Sequence, residues 1–144
     1  MSREEDAIPL LVMLPLILRV AFSGVRTELS PYTRTQIYVF TILADKGSLT
    51  MKEIASYISV PKERATRVIA PLVDDGLVER YFEPENRSKI HIRLTEKGLE
   101  LQEHIHALIR RSINEHVNAV LSEDEKDELS RSAFSVIRLL DKVN

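Results

Sequence analysis

The stretch TMKEIASYISVPKERATRVIAPLVDDG, residues 50–76, contains two short helical patterns separated by a turn. Thr50 and Glu53 have the spacing of a capping box, so the first helix is predicted to start there. Ser59-Val60-Pro61 predicts the turn, with Pro61 at the first position of the second helix, where its missing amide costs little. Gly76 is predicted to end the second helix. The positions predicted to face inward, at helical spacing, are Ile54, Ala55, Ile58, Ala65, Val68, Ile69 and Leu72. Two short helices joined in this way form a helix-turn-helix.

Strand-like residues follow Gly76. Two strands are predicted, at Leu77–Phe82 and Ile90–Leu94, from their β-branched and aromatic content. Between them, residues 83–89 read EPENRSK, in which Pro84 and Asn86 are turn residues. The two strands are therefore predicted to form a β-hairpin with a polar, flexible tip. A hairpin directly after a helix-turn-helix makes a winged helix.

Apolar helical segments lie on both sides of this winged module. Residues 7–29 are dense in Leu, Ile and Val on nearly every side, and a helix that is apolar all round has to be buried all round. Pro15 is expected to bend or interrupt that helix. On the other side, Thr95 is predicted to cap a long helix with near-heptad apolar spacing, and Ser122 with Glu125 to start a last helix. In a chain this short, a second copy of the chain is the expected cover.

The segments together predict the layout of the chain. A further helix is expected between a capping box at Thr33 and Gln36 and a stop at Gly47. The fold class is thus mainly α (α+β), a winged helix-turn-helix with N- and C-terminal dimerisation helices. We expect one compact domain overall. Its parts are residues 1–32 as the N-terminal dimerisation helix, 33–98 as the winged module and 99–144 as the C-terminal dimerisation helices.

Composition excludes several classes of function. The chain of 144 residues has no cysteine, which excludes disulfides, thiolate metal sites and thiol redox sensing. It has four glycines and neither a phosphate-binding loop nor a nucleophile elbow, so no enzyme is predicted. The histidines lack metal-binding spacing, so neither a metal nor a cofactor is predicted. The opening residues are acidic, unlike a secretory leader, and the apolar run 7–18 is too short to span a membrane. A cytoplasmic protein is expected.

The order and spacing of five segments resemble the MarR (multiple antibiotic resistance regulator) family over about residues 33–101. The segments are Leu49-Thr50, Thr66-Arg67, DGLVER at 75–80, EPENR at 83–87 and LTEKG at 94–98. The resemblance implies a homodimeric regulator of transcription that binds double-stranded DNA, with repression as the default. Two departures are Asn86-Arg87-Ser88, where the family wing usually reads Asp-Arg-Arg, and Pro71, which is expected to bend the second helix of the motif.

The second helix of the motif has an outer face that could read DNA. The major groove accepts a helix, and residues near the N-terminus of that helix reach the base edges. Arg64 and Arg67 are predicted to pair with guanine, and Thr66 to contact a base or a phosphate. The residues predicted on this face or at its edge are Lys62, Glu63, Arg64, Thr66 and Arg67. A charged face that only keeps the helix soluble is the alternative, most of all for Lys62 and Glu63.

The hairpin supplies further candidate contacts. Arg87 is predicted to enter the minor groove, where a guanidinium is drawn to narrow A/T-rich segments. Lys89 and Arg93 are predicted to contact phosphates, as are Thr50 and Lys62 at helix starts. A solvated strand face is the alternative for Lys89 and Arg93. Residues 50–100 contain nine Lys and Arg and nine Asp and Glu, so binding is expected to depend on local placement and on two linked copies.

The remaining expectations concern partners. A two-fold dimer places two recognition helices about one DNA turn apart, which predicts a pseudo-palindromic operator. The resemblance implies a small, often aromatic, anionic effector, whose identity the residues do not give. Arg19, Arg26 and Tyr38 are candidates to line its pocket, with structural roles as the alternative. A module that kept the fold but lost DNA binding is the other class, because of Pro71 and the incomplete wing.

Overall fold

The computed structural model describes residues 7–25, 29 and 31–143. The elements are α1 (Ala7–Phe22), α2 (Arg34–Lys46), β1 (Ser48–Thr50), α3 (Met51–Ile58), α4 (Lys62–Asp74), β2 (Val78–Glu83), β3 (Asn86–Leu94), α5 (Glu96–Val120) and α6 (Glu123–Asp141). Within this part of the chain, the strands form one antiparallel sheet in the order β1-β3-β2. The fold is mainly α with a winged helix-turn-helix, which confirms the predicted class.

The chain divides into two compact units. One unit contains residues 25–108, and the other contains residues 1–24 and 109–144. The winged module expected at 33–98 lies inside the first unit, which extends along α5 to Leu108. In the other unit, the buried hydroxyl of Ser112 donates to the carbonyl oxygens of Val20 and Ser23, at 3.0 and 2.8 Å. These bonds attach the second half of α5 to the end of α1.

Local capping signals set the starts of three helices, as predicted. Thr33 with Gln36, Thr50 with Glu53 and Ser122 with Glu125 each form both bonds of a capping box. The side chains satisfy amides that have no partner in the first turn of a helix. Gly47 ends α2 with φ of 83°, a conformation that side chains with a Cβ rarely adopt.

The core of the first unit forms where the winged module packs against itself. Ala65, Ile69 and Leu72 on α4 are buried, as the helical spacing predicted. Ile92 of β3 is fully buried, with 0% of its surface exposed. The other hydrophobic residues buried in this unit include Phe40, Leu43, Ile54, Leu77 and Val78. Burial of this kind contributes about 1.5–3 kcal/mol for each large side chain.

The start of α5 is joined to the short segment between α4 and β2. The hydroxyl of Thr95 donates to the carbonyl oxygen of Gly76 at 2.6 Å and accepts from the amide of Gly98 at 3.1 Å. The amide of Thr95 donates to the carbonyl oxygen of Leu77. This close approach leaves no room for a side chain at Gly98, where an added Cβ would overlap the Leu77 carbonyl.

The start of α4 and the strand β1 differ from the sequence predictions near the motif. Pro61 is the N-cap of α4 and not its first residue, because its ψ of 153° is extended while its carbonyl already accepts from Arg64 and Ala65. Ser59 forms the turn in the left-handed conformation, with φ of 57°. Strand β1 was not predicted, since three residues are too few for a periodic signal. Helix α4 continues through Pro71 to Asp74.

The loop at the tip of the hairpin is shorter than predicted, and the strands are correspondingly longer. Strand β3 begins at Asn86, and Glu83 pairs directly with Asn86, so the expected loop over residues 83–89 is wrong. Backbone pairing across Pro84 and Glu85 decides this, whereas composition alone marked the whole polar stretch as a loop. Arg87 and Lys89 therefore lie on a strand.

Helix α1 is shorter than predicted, and the outer helices leave apolar side chains exposed in the single chain, where a second copy is the expected cover. Helix α1 ends at Phe22, followed by Gly24 with φ of 85°, and does not reach Leu29. It continues through Pro15. Residues predicted to be inside on α6 are exposed in the single chain, with Phe134 at 71%. Within the described residues, none of the helices is long and apolar enough to cross a membrane.

Gly98→Ala should destabilise the protein by about 1–3 kcal/mol, because the new methyl group meets backbone that cannot move independently of the α5 cap. Urea denaturation measures this loss. Gly24→Ala is the control for a φ effect alone, since a Cβ at Gly24 has nothing within 4 Å. An unchanged unfolding midpoint for Gly98→Ala would show that the Leu77–Gly98 contact is looser than described.

Candidate nucleic-acid interface

Helix α4 presents one polar face to solvent. All five predicted contact residues on this helix are exposed, while the opposite side is packed in the core. The five are Lys62, Glu63, Arg64, Thr66 and Arg67. The structure thus gives the helix the buried and free faces that groove binding requires.

The first turn of α4 has no side-chain cap. Pro61 precedes it and provides no side-chain hydrogen bond. The early amides of a helix carry the positive end of its dipole and favour anions. Lys62 adds a full positive charge to this turn.

A groove of about 410 Å³ runs between α4, the start of α3 and the hairpin. Four of the predicted residues line it, namely Thr50, Lys62, Thr66 and Lys89. Lys52 and Arg80, which the sequence analysis did not select, line it as well. Met51, Ser88, Ile90 and Ile92 complete the lining, which contains no carboxylate. The groove therefore places four cationic side chains around one concave surface, an arrangement that attracts phosphate.

Two hydroxyl groups of the predicted site are engaged within the protein. Thr50 donates to Glu53 Oε1 at 2.9 Å and accepts from the Glu53 amide at 3.2 Å. Thr66 donates to the carbonyl oxygen of Lys62 at 3.0 Å. Each hydroxyl would have to exchange its bond to donate to DNA.

The outer part of the wing carries Arg87. This side chain is exposed, and its guanidinium carbon lies 5.7 Å from the centroid of the Phe82 ring. The two residues that depart from the family pattern bond to each other, with Ser88 Oγ donating to Asn86 Oδ1 at 2.5 Å. Arg87 is thus held beside an aromatic ring in a strand.

Among the predicted phosphate contacts, Arg93 is the one that does not line the groove. Its neighbour Ile92 is buried in the core, and successive strand residues point to opposite faces, so Arg93 points away from the core. The Nε of Arg93 donates to Glu79 Oε1 at 2.6 Å, and its guanidinium carbon lies 4.1 Å from the Tyr81 ring centroid. The side chain is held by the wing itself.

Strand register could have revealed one of the two missed cations. Arg80 pairs with Ile92 across the sheet and so shares its face. Once Ile92 is taken as inward-facing, Arg80 belongs on that side as well. Lys52 follows Thr50 in the first turn of α3, and no periodic signal distinguishes it from a solvated lysine.

The proposed effector-pocket residues lie on separate parts of the chain. Arg19 is exposed on α1, and Tyr38 is half-buried on α2. Arg26 lies outside the described residues. Among the described residues, no group of three or more His, Asp or Glu side chains is placed to hold a metal ion.

Comparison with known proteins agrees with this architecture. Residues 32–90 match the family model described as the MarR family. The HTH-type transcriptional regulator Mb0904 of Mycobacterium bovis is 30% identical over 117 residues, 81% of each chain. The structure of RV1404 from Mycobacterium tuberculosis has a TM-score of 0.76 at 19% identity, over 96% of this chain and 94% of that one. A mutant MarR of Escherichia coli complexed with operator DNA has a TM-score of 0.63 at 24% identity, over 94% and 99%.

Thr50→Val should destabilise the protein by about 1 kcal/mol through removal of the N-cap. The pKa of Glu53 is lowered mainly by the Thr50 amide and hydroxyl, which donate to the carboxylate, so the substitution should raise that pKa. The bonds from Thr50 to the ionised Glu53 carboxylate stabilise the folded protein. Because the folded pKa of Glu53 is lowered, this contribution is present at neutral pH and is lost as pH falls through that pKa, below the ordinary glutamate range.

Denaturation at neutral and acidic pH, with an NMR titration of the Glu53 carboxyl, checks this prediction. Thr35→Val, on the same helix as the Thr33 cap but outside any capping box, is the control. A stability difference that stays constant down to acidic pH would contradict the assignment to Glu53.

Proposed function

Because this chain belongs to the MarR family of helix-turn-helix transcriptional regulators, we propose that it binds a pseudo-palindromic operator as a homodimer and represses transcription. The observation that carries the proposal is the groove beside α4, where Lys52, Lys62, Arg80 and Lys89 converge. These positively charged side chains attract the negatively charged phosphates of a DNA backbone. We therefore propose that the protein acts in the cytoplasm, the compartment that holds the DNA.

Helix α4 enters the major groove in this proposal. Arg64 and Arg67 are exposed and project from its first two turns. A guanidinium can donate two parallel bonds to guanine O6 and N7, which is the commonest specific contact in the major groove. Glu63 on the same face accepts a bond from cytosine N4.

The groove cations and the wing fix the position of the helix. Lys62 and Lys89 stand on opposite walls of the groove and neutralise phosphates beside α4. Arg87 on the wing reaches the neighbouring minor groove, where the negative potential is concentrated. Phosphate contacts set the register, and the arginines of α4 supply the sequence preference.

Two exposed apolar helices support the homodimer. Leu11 on α1 and Phe134 on α6 are each 71% exposed, and many of their apolar neighbours are similarly exposed. Monomeric proteins rarely leave so much contiguous apolar surface in water. A second copy that covers both helices presents two α4 helices to one DNA face, and the linkage compensates for the neutral charge of residues 50–100. A small aromatic anion that shifts this pair between states is the effector we propose.

Arg67→Ala should weaken operator binding by about 1–3 kcal/mol and relax the base preference, since the variant cannot form the bidentate bond to guanine.

Lys89→Ala should weaken binding to all sequences and flatten the log–log salt dependence by about 0.9 for each phosphate that it leaves without a cation. Fluorescence anisotropy with duplexes selected from a random library measures both effects. Arg110→Ala, an exposed cation on α5 outside the groove, is the matched control. Wild-type protein that selects no duplex would favour an interaction module instead.

Phe134→Glu should convert the dimer to a folded monomer, because it places a charge on the apolar face of α6. Ser132→Glu adds the same charge about 160° away around the helix and should leave the dimer intact. Sedimentation equilibrium measures the association, and circular dichroism confirms folding. Dimers of equal stability in the two variants would exclude α6 from the interface.

A further inference from the structure

Four side chains form a continuous chain of interactions on the face of the hairpin opposite to Ile92. The carboxylate of Glu79 bonds to Arg93 at 2.6 Å, and the guanidinium of Arg93 lies over the ring of Tyr81 at 4.1 Å. The Tyr81 ring stacks on His91, with centroids 5.4 Å apart and planes at 27°. We call these four residues the wing clamp.

The wing clamp follows the register of the sheet. Glu79 is the direct cross-strand partner of Arg93, and Tyr81 is the partner of His91. Arg93 thus contacts its direct partner and reaches the diagonal neighbour, which are the two kinds of pair that stabilise a sheet face. On the other edge of β3, His91 pairs with Thr50 of β1, so the clamp lies where all three strands are present.

The wing clamp also lies at the last regular pairs of the hairpin. Beyond it the register shifts, between Tyr81 and Glu83, and every residue from Phe82 to Ile90 is exposed. The core therefore holds the base of the hairpin but not its outer part. The direction of the outer part, which carries Arg87 and Lys89, depends on how firmly the two strands are joined at Tyr81 and His91.

The positive charge of Arg93 is already balanced by the carboxylate of Glu79 within the wing clamp. Its partner carboxylate is at contact distance, and the two side chains are 48% and 47% exposed. A phosphate would have to replace Glu79 and draw the guanidinium from the Tyr81 ring. An ion pair that stays closed releases few counterions when DNA binds.

We propose that Arg93 is a positioning residue, which holds the two strands of the wing together through Glu79 and Tyr81 and so directs Arg87 and Lys89, and that it makes no phosphate contact. This inference rests on the proposed function for its effect on DNA binding. The clamping of the outer wing is a property of the free protein and is measured separately.

Salt dependence distinguishes positioning from phosphate contact. Arg93→Met should weaken binding to a selected duplex by about threefold to tenfold with an unchanged log–log salt slope, since the clamp is loosened but every phosphate keeps its cation. Arg93→Lys should weaken binding similarly, because lysine keeps the charge but lacks the flat group that stacks on Tyr81 and bonds to Glu79. A slope that flattens by about 0.9 in Arg93→Met, the value for one phosphate, or full affinity in Arg93→Lys, would overturn the proposal.

The partner carboxylate gives a test of opposite sign. Glu79→Gln should weaken binding if Glu79 holds Arg93 in the clamp. If Arg93 were a phosphate ligand restrained by Glu79, the same substitution would tighten binding and steepen the salt slope. Glu83→Gln, an exposed carboxylate on the same strand outside the clamp, is the matched control.

Hydrogen exchange in the free protein tests the clamp without DNA. Amides of residues 82–90 should exchange faster in Arg93→Met and Glu79→Gln than in wild type, while the amides of α4 keep their protection. Unchanged exchange in residues 82–90 would overturn the clamp. Faster exchange together with a wild-type protein that binds no duplex would support the clamp and refute the proposed function.

Discussion

Ile92 lies at the centre of the sheet, in the strand that pairs with β1 on one side and β2 on the other, and it is fully buried. Because side chains alternate along a strand, burial of Ile92 decides which way the neighbouring side chains point in the regularly paired part of the hairpin. Arg80 is placed on the groove side, and Arg93 is placed on the opposite side. A slip of one residue would exchange the two faces and move Arg80 away from α4. The place of Arg80 in the candidate interface therefore depends on this one buried side chain.

Several local features support that register and serve the interface at the same time. Thr50 pairs with His91 in the sheet, starts α3 as its N-cap and lines the groove. At the base of the hairpin, the bonds of Thr95 to Gly76 and Gly98 join the strands to the start of α5. The inner part of the wing is thus fixed by hydrogen bonds, which in the proposed function lowers the conformational cost of binding a rigid duplex.

The two units solve the burial problem in different ways. The winged module buries its own apolar faces between α4 and the sheet, so its outer surface is free for polar contacts. Helices α1 and α6 leave large apolar side chains exposed in the single chain. In the proposed dimer, these helices provide the association and the winged modules provide recognition. In the proposed dimer, this separation allows residues 50–100 to have no net charge, because two linked copies add to the affinity of the local cationic groove.

Local signals in the sequence determined the helix starts at Thr33, Thr50 and Ser122, the inward face of α4 and the apolar character of the outer helices. Each of these depends on residues within about one or two helical turns, and the resemblance added the family and its role as a DNA-binding regulator of transcription. Tertiary structure alone decided the short tip at Pro84–Glu85, the strand β1, the recruitment of Lys52 and Arg80 to the groove, and the engagement of Arg93 by Glu79 and Tyr81. These features arise from backbone pairing between segments distant in sequence, and the periodicity of a single segment carries no information about its partner.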